Sequence, residues 1–206
     1  MKKVTNVLIS GVGGQGVLLS SRVIGISAIK SGLEVKISEI HGLAQRGGSV
    51  DSHVRFGKGV HSGIIPKCKA DYLLAFEPVE GLRRANYLST DGIAIVNEEP
   101  VHPVSVSLGS ESYPEIDEVL SSIREFCSKL VSLNATSKCR ELAEKYSSGI
   151  IPVNTYLLGV LASQNFPIEE RVIRETISEI IPEKAVKMNL EAFDLGVKDG
   201  KSFSDF

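Results

Sequence analysis

Residues 4–16, Val-Thr-Asn-Val-Leu-Ile-Ser-Gly-Val-Gly-Gly-Gln-Gly, decide the fold of the N-terminal half. The apolar run at 4–9 predicts a strand, the glycines predict a tight turn, and the apolar stretch at 17–29 predicts a helix. Such a turn directs unpaired N–H groups and the positive end of a helix dipole towards one point, which suits a phosphate or a carboxylate. The chain therefore begins like a nucleotide-binding α/β protein.

Alternation of strands and helices continues along the chain. Predicted strands cover 34–40, 50–56, 70–76, 93–96 and 129–133, and predicted helices cover 78–88, 114–129, 137–146, 154–164, 169–180 and 183–195. Asp91-Gly92 is interpreted as a turn, and Gly196 as the end of the last helix. The pattern predicts a three-layer α/β/α fold with a mostly parallel sheet, a Rossmann-like N-terminal half and a helix-rich C-terminal half.

Composition limits the possible functions. The 206 residues carry a formal net charge of −2, which excludes a surface field that gathers nucleic acid or anionic lipid. We expect one domain over residues 1–206, helix-rich from about 136. An odd number of widely spaced cysteines fits a reducing compartment, and no apolar stretch is long enough to span a membrane, so we expect a cytoplasmic protein.

The first glycine motif also matches a dinucleotide-binding fingerprint. Gly11, Gly13 and Gly16 have the required spacing, and Glu39 lies at the end of the second predicted strand, where an acid would hold ribose hydroxyls. One alternative is therefore a free-standing NAD-binding oxidoreductase. Another is that these glycines serve only close packing.

A second motif follows directly: residues 39–50 read Glu-Ile-His-Gly-Leu-Ala-Gln-Arg-Gly-Gly-Ser-Val. Arg46 presents a planar cationic fork, and Gly47-Gly48 allow the backbone to approach a partner closely. A carboxylate or a phosphate fits this arrangement. The alternative is an exposed arginine in an ordinary loop.

Together the motifs resemble the gamma subunit, or gamma domain, of the 2-oxoacid:ferredoxin oxidoreductases. The resemblance includes Ala-Phe-Glu-Pro at 75–78, Pro-Val-Asn-Thr at 152–155 and the segment at 189–196, and it covers nearly the whole chain. A separate chain of this length is most similar to the small subunits of the arylpyruvate branch. The resemblance implies an oxidative decarboxylation that yields an acyl-coenzyme A and sends electrons to ferredoxin.

The resemblance also implies a larger partner subunit that holds thiamine diphosphate and [4Fe-4S] clusters. Cluster ligation needs closely spaced thiolates, whereas Cys68, Cys127 and Cys139 lie far apart in the sequence. A Gly-Asp-Gly thiamine motif is also absent from the sequence. We expect no cofactor to be held by this chain alone, with coenzyme A as a possible contact.

Candidate site residues come from both glycine motifs. The residues expected to contact a cofactor or the partner are Gly11, Gly13, Gly14, Gln15, Gly16, Glu39, His41, Gln45, Arg46, Gly47 and Gly48. A zinc site formed by Glu39, His41 and His53 lacks familiar ligand spacing, so no metal is expected. A non-catalytic assembly module remains the third alternative, beside the oxidoreductase subunit and the NAD enzyme.

Overall fold

A six-stranded β-sheet separates two layers of helices in the computed structural model, which describes residues 4–42, 47–103, 106 and 108–203. The strands are β1 (Val4–Val12), β2 (Glu34–His41), β3 (Ser49–Gly57), β4 (Ala70–Ala75), β5 (Leu88–Asn97) and β6 (Lys129–Leu133). The helices are α1 (Val17–Lys30), α2 (Pro78–Arg84), α3 (Ile116–Arg124), α4 (Ala135–Lys145), α5 (Val153–Ala162), α6 (Glu170–Ile180) and α7 (Glu183–Lys201), and a 3₁₀ turn (Ala85–Tyr87) follows α2.

The strand order is β2-β3-β1-β4-β5-β6. Strands β1, β4, β5 and β6 pair in parallel, whereas β3 is antiparallel to both of its neighbours, β1 and β2. Strand β2 therefore has the same direction as β1, and the prediction of a mostly parallel α/β sheet is confirmed. The carboxyl ends of five strands, together with the start of β3, lie at one edge of the sheet.

Each face of the sheet has its own apolar core, because successive side chains of a strand point to opposite faces. Val7 and Ile9 of β1 belong to the core beneath α1 and the C-terminal helices, and Leu8 belongs to the core beneath α2 and α3. Helix α5 lies within the core that contains Val7 and Ile9, here called the first core, and is buried on nearly all sides. Its continuous apolar sequence is typical of such a central helix.

Strand β2 does not lie beside β1, contrary to the expectation of a Rossmann-like N-terminal half. Strand β3 pairs with β1 on one side and with β2 on the other, which places β2 at the outside of the sheet. A short connection between β2 and β3 favours antiparallel pairing, which needs no crossover helix. The local strand–turn–helix prediction is confirmed, whereas β2 does not adjoin β1 as it would in a dinucleotide-binding unit.

Several predicted boundaries are also wrong, and the helix predicted over 114–129 is α3, which ends at Arg124. Helix α2 ends at Arg84, and β5 already begins at Leu88 and continues through the predicted turn at Asp91-Gly92, with an irregular register against β4. Helix α7 continues beyond Gly196 to Lys201. Gly196 serves a helix crossing instead of a helix end, since a β-carbon there would overlap the carbonyl oxygen of Tyr156 in α5.

Candidate functional site

The first glycine motif forms a backbone-lined turn at the carboxyl edge of the sheet. Strand β1 continues through Gly11 and Val12, and the turn at 13–16 leads into α1. Gly14 and Gly16 have φ angles of 108° and 90°, which favour glycine. No side chain caps the start of α1, and a β-carbon on Gly14 would have no neighbour within 4 Å among the described residues. The turn therefore presents open backbone to its surroundings.

Gln15 holds this turn from within. Its Oε1 accepts a hydrogen bond from the N–H of Val12 at 2.7 Å, and its Nε2 donates to the carbonyl oxygen of Phe76 at 3.1 Å. The side chain thus ties the end of β1 to the end of β4. In this arrangement Gln15 positions the turn, whereas its place in the motif predicts a ligand contact.

Two glycines of the second motif lie against the first motif. The N–H of Gly13 donates to the carbonyl oxygen of Gly48 at 2.8 Å, and the N–H of Gly47 donates to that of Gly13 at 3.3 Å. This confirms that the two motifs meet at one edge. Gln45 and Arg46 lie outside the described residues.

Glu39 and His41 lie apart from the turn, on the outer strand β2. Glu39 is paired with Ser52, which is paired with Ile9 of β1, so two strand spacings of roughly 4.8 Å each separate Glu39 from β1. Glu39 is exposed and faces α1. It does not occupy the place of a ribose-binding acid beside β1, which removes the main structural support for the NAD alternative.

The zinc alternative also fails on geometry. In β3, His53 is paired with Ser38, so its side chain lies on the opposite face of the sheet from those of Glu39 and His41. Among the described residues, no three histidine, cysteine or acidic side chains are grouped so that they could hold a metal ion.

The C-terminal half contributes a second helix N-terminus to the site. Asn154, in the first turn of α5, lies over Gly16, where a β-carbon would be 2.9 Å from Asn154 Nδ2. Within the described residues, the Asn154 side chain forms no hydrogen bond. In the sequence, residues 152–155 stand out only as part of the family resemblance, because nothing local indicates that α5 reaches β1.

Asn97, at the end of β5, is a buried residue that links neighbouring elements at the carboxyl edge of the sheet. It is 1% exposed, and its Nδ2 donates to Phe76 O at 3.1 Å and to Thr136 Oγ1 at 3.0 Å. Phe76 O thus accepts hydrogen bonds from both Gln15 and Asn97. The ends of β1, β4 and β5 are thus joined through this one carbonyl, and Asn97 also bonds to the start of α4.

A cleft of about 220 Å³ opens on the other side of the two glycine motifs. Its lining includes Val12, Gly47, Val79, Val101, His102 and Tyr113. Glu77 anchors it: the carboxylate is 2% exposed, accepts from Tyr113 OH at 2.5 Å, and caps α2 by accepting from the N–H of Glu80 at 2.8 Å. Burial and the neighbouring Glu77 carboxylate raise the pKa of Tyr113, so its hydroxyl stays protonated.

In the sequence, Glu77 stands out only as part of the Ala-Phe-Glu-Pro motif at 75–78. The local signal for its capping role is an acid directly before Pro78, with Glu80 three positions further on. Its contact with Tyr113 depends on the tertiary fold.

A buried ion pair lies near the cleft. Arg84 Nε is 2.5 Å from Asp51 Oδ2, and the Asp51 residue is 3% exposed. Burial raises the pKa of Asp51, which the ion pair with Arg84 opposes. Burial and the charge of Arg84 lower the pKa of His53, whose Nδ1 accepts from the N–H of Ile65 at 3.2 Å. The pKa values of Asp51 and His53 therefore both depend on the charge of Arg84.

The three cysteines do not converge on one site. Cys139 lies in the core, where burial raises the pKa of its thiol to about 12. Cys68 and Cys127 line a pocket at the amino ends of the strands, opposite the glycine motifs. This arrangement does not fit an iron–sulfur cluster held by this chain.

The fold and site define an α/β domain that presents backbone and amide groups at the carboxyl edge of its sheet. A model of the family described as "Pyruvate ferredoxin/flavodoxin oxidoreductase" matches residues 6–198, and the chain belongs to this family. The resemblance predicted from the sequence is thereby confirmed. None of the helices in the described ranges is long and apolar enough to cross a bilayer.

The similarity to named relatives covers nearly the entire chain. It is 40% identical over 198 residues to the indolepyruvate oxidoreductase subunit IorB of Thermococcus kodakarensis, covering 95% of this chain and 96% of the relative. It is 39% identical over 194 residues to subunit IorB of Archaeoglobus fulgidus, covering 93% and 92%.

Solved structures share the fold. The gamma subunit of a keto/oxoacid ferredoxin oxidoreductase from Geobacter sulfurreducens PCA aligns with a TM-score of 0.69 at 20% identity, over 96% of this chain and 99% of that subunit. A 2-oxoglutarate:ferredoxin oxidoreductase from Magnetococcus marinus, with 2-oxoglutarate, coenzyme A and succinyl-coenzyme A bound, aligns at 0.68 and 21% identity. The alignment covers 98% of this chain and 32% of that longer chain.

Proposed function

We propose that this chain is the small subunit of an indolepyruvate:ferredoxin oxidoreductase complex. The observation that carries the proposal is the similarity to four archaeal IorB subunits at 36–40% identity across more than nine-tenths of the chain. The proposed reaction converts an arylpyruvate and coenzyme A into an arylacetyl-coenzyme A, carbon dioxide and a proton. Two oxidised ferredoxins each accept one electron. The complex is proposed to work in the cytoplasm.

The redox chemistry is proposed to reside in a larger partner subunit. Thiamine diphosphate there would supply the carbanion chemistry of decarboxylation, and [4Fe-4S] clusters would carry the electrons. The dispersed cysteines of this chain support that division of labour. This chain, as one gamma-type domain over residues 1–206, is proposed to be inactive alone.

The role proposed for this chain is to complete the reaction chamber with its carboxyl edge. The uncapped start of α1 and the exposed Gly14 offer backbone N–H donors, and the Asn154 amide lies beside them. Donors and helix dipoles at one place suit an anionic group, and a phosphate of coenzyme A is the proposed ligand. Arg46, proposed from the sequence alone, would add a cation to the same edge.

Asn154→Asp tests the proposed phosphate contact. A carboxylate at this position would repel a phosphate, so we expect the KM for coenzyme A of the reconstituted complex to rise about tenfold, the equivalent of about 1.4 kcal/mol. The matched control is Asn165→Asp, the same chemical change at an exposed position by the amino ends of the strands. A KM that is equal in both variants would contradict the phosphate contact.

Arg46→Ala tests the second motif. We expect lower turnover of the complex and unchanged thermal stability of the isolated chain, with Arg171→Ala as the control on the exposed face of α6. Calorimetric titration of the isolated chain with NAD addresses the enzyme alternative. Binding of NAD, or keto-acid oxidation by the isolated chain, would overturn the proposed function.

A further inference from the structure

Strand β2 is an outer edge of the sheet, and the segment after β3 lies against part of it, since a β-carbon on Gly63 would be 3.3 Å from the carbonyl oxygen of Ile37. The eight residues of β2 span about 26 Å, and within the described residues the strand pairs with β3 alone. All of its residues except Val35 and Ser38 are exposed. Ile37 and Ile40, on opposite faces of the strand, are 39% and 46% exposed. A long exposed edge strand can accept another strand, and the charges of Glu34, Lys36 and Glu39 restrict which strand pairs with it.

An apolar groove runs beside this edge. The groove lies between α1 and β2 and measures about 770 Å³. It is lined mainly by apolar side chains: Leu18, Leu19, Ile26, Ile29, Val35 and Ile37. Leu18 and Ile29 of α1 are 45% and 62% exposed. We name Leu18, Ile29, Ile37 and Ile40 the β2 edge surface.

A second copy of this chain does not suit the edge. Two copies related by a two-fold axis would pair β2 antiparallel, with residues of the same face opposite each other. In the register centred on Ile37, Glu39 would lie opposite Val35 of the copy. Glu34 would lie opposite Ile40 of the copy. Charged side chains would thus meet apolar ones.

The second register that pairs most of β2 with its copy is also unfavourable. Centred on Ser38, it would place Glu39 opposite Ile37 of the copy and Lys36 opposite Ile40 of the copy. Registers centred on Lys36 or Glu39 would put like charges directly opposite each other, which is destabilising. The sequence of β2 therefore favours a different chain as its neighbour.

The β2 edge surface is continuous with the edge that the proposed function assigns to the partner. Helix α1 begins at Val17, directly after the first glycine motif, and β2 ends at His41, within the second motif. The groove between α1 and β2 therefore adjoins both motifs, and a partner that contacts the motifs can also contact the groove.

We propose that the larger partner subunit adds an extended segment to β2 and fills the adjoining groove with apolar side chains. The backbone of β2 would supply hydrogen bonds, and alternate side chains would supply specificity. Complementarity requires apolar residues of the segment opposite Ile37 and Ile40, an acid opposite Lys36 and a base opposite Glu39. The inference rests on the proposed function, because it takes its partner from there.

Ile40→Lys is the direct test, with Phe126→Lys as the matched control. The two side chains are 46% and 45% exposed, and Phe126 lies at the amino ends of the strands on the far side of the sheet. Both full-length variants are first compared with the wild-type chain by thermal unfolding. In titrations with the larger subunit of the same organism, we expect Ile40→Lys to weaken binding at least about tenfold. We expect Phe126→Lys to bind like the wild-type chain.

Amide hydrogen exchange tests the added strand without a mutation. Amides of residues 34–41 that point away from β3 should exchange more slowly in the complex than in the isolated chain. Unchanged exchange there would overturn the inference, as would wild-type affinity of Ile40→Lys. Self-association of the isolated chain that Ile40→Lys abolishes would assign the surface to a second copy, and would also overturn it.

The two proposals fail differently. An active complex with unprotected β2 amides leaves the proposed function standing and removes the inference. If the wild-type chain neither binds the larger subunit nor supports its turnover, both are overturned.

Discussion

Gly196 of α7 lies directly against Tyr156 of α5, so closely that a β-carbon at position 196 would overlap the Tyr156 carbonyl oxygen. Gly159 of α5 makes the reciprocal contact with the backbone of Phe193. Two helix backbones therefore touch at a pair of glycines, and this crossing holds α7 against the buried helix of the first core. The start of α5, with Asn154, is positioned at the glycine turn by the same packing.

Gly196→Ala should destabilise the chain by about 1–3 kcal/mol or more, since the added methyl group forces the helices apart. Chemical denaturation of the isolated chain measures the loss. Gly149→Ala is the control, because a β-carbon there would have nothing within 4 Å among the described residues. Equal stability of the two variants would contradict the close crossing.

Gln15→Ala should destabilise the isolated chain by about 1–2 kcal/mol, because the Val12 N–H loses its acceptor while Phe76 O retains Asn97. The glycine turn loses its internal support, so turnover of the complex should fall as well. Leu18→Ala, at an exposed position just beyond the turn, is the stability control. Full stability and turnover of Gln15→Ala would show that the amide does not position the turn.

Arg84→Met should destabilise the chain by about 3 kcal/mol, because it leaves the Asp51 carboxylate buried and unpaired. Urea denaturation measures this change, and Asp51→Asn combined with Arg84→Met should recover most of it. Without Arg84, the pKa of Asp51 lies further above its unfolded value. The stability that protonated Asp51 contributes is therefore present at low pH and lost as the pH rises through the folded-state pKa. A deficit that does not increase as the pH rises from the usual Asp51 pKa of 3.8 to 7 would contradict this account.

His53 should make the chain sensitive to mild acid. Burial lowers its pKa below 6.5, so the folded chain favours the neutral ring. The resulting stability is complete above pH 6.5 and is lost as the pH falls from there through the folded-state pKa. His53→Gln, which keeps an acceptor near the Ile65 N–H, should lose less stability between pH 7 and pH 5 than the wild-type chain. His61→Gln, at an exposed position, should retain the wild-type pH dependence, and a His53→Gln variant that does so too would refute the explanation.

Thiol labelling should separate the cysteines. Cys68 is exposed and should react first, whereas Cys139 is buried with its pKa raised to about 12 and should react only on unfolding. A chromogenic disulfide reagent, used with and without guanidinium, measures both phases, and Cys68→Ser should remove the fast one. Labelling of Cys139 in the folded chain at the rate of Cys68 would contradict the buried placement.

Local sequence signals predicted much of the fold. The glycines at 13–16, the period of α1 and the alternation in β3 each constrain the nearest few residues, and these elements were confirmed. The meeting of the two glycine motifs was also predictable, because both follow strands of the same direction. The resemblance carried by those motifs predicted the family.

Other parts of the site could not be read from local sequence. Gln15 looks like a ligand contact in the motif, but its hydrogen bond to Phe76 depends on the position of β4. Gly196 has the sequence character of a helix end, yet its role is set by Tyr156 in another helix. Glu77 accepts a hydrogen bond from Tyr113, which belongs to a segment distant in the sequence.

The sequence by itself determined the strand–turn–helix start, the α/β class and the family, because short-range periodicity and glycine positions specify backbone conformation locally. Only the tertiary structure decided that β3 separates β2 from β1, that Asn154 adjoins Gly16, and that β2 is the outermost strand. Strand order and helix crossings depend on hydrogen bonds and packing between segments that lie far apart in the chain. No local pattern contains that information.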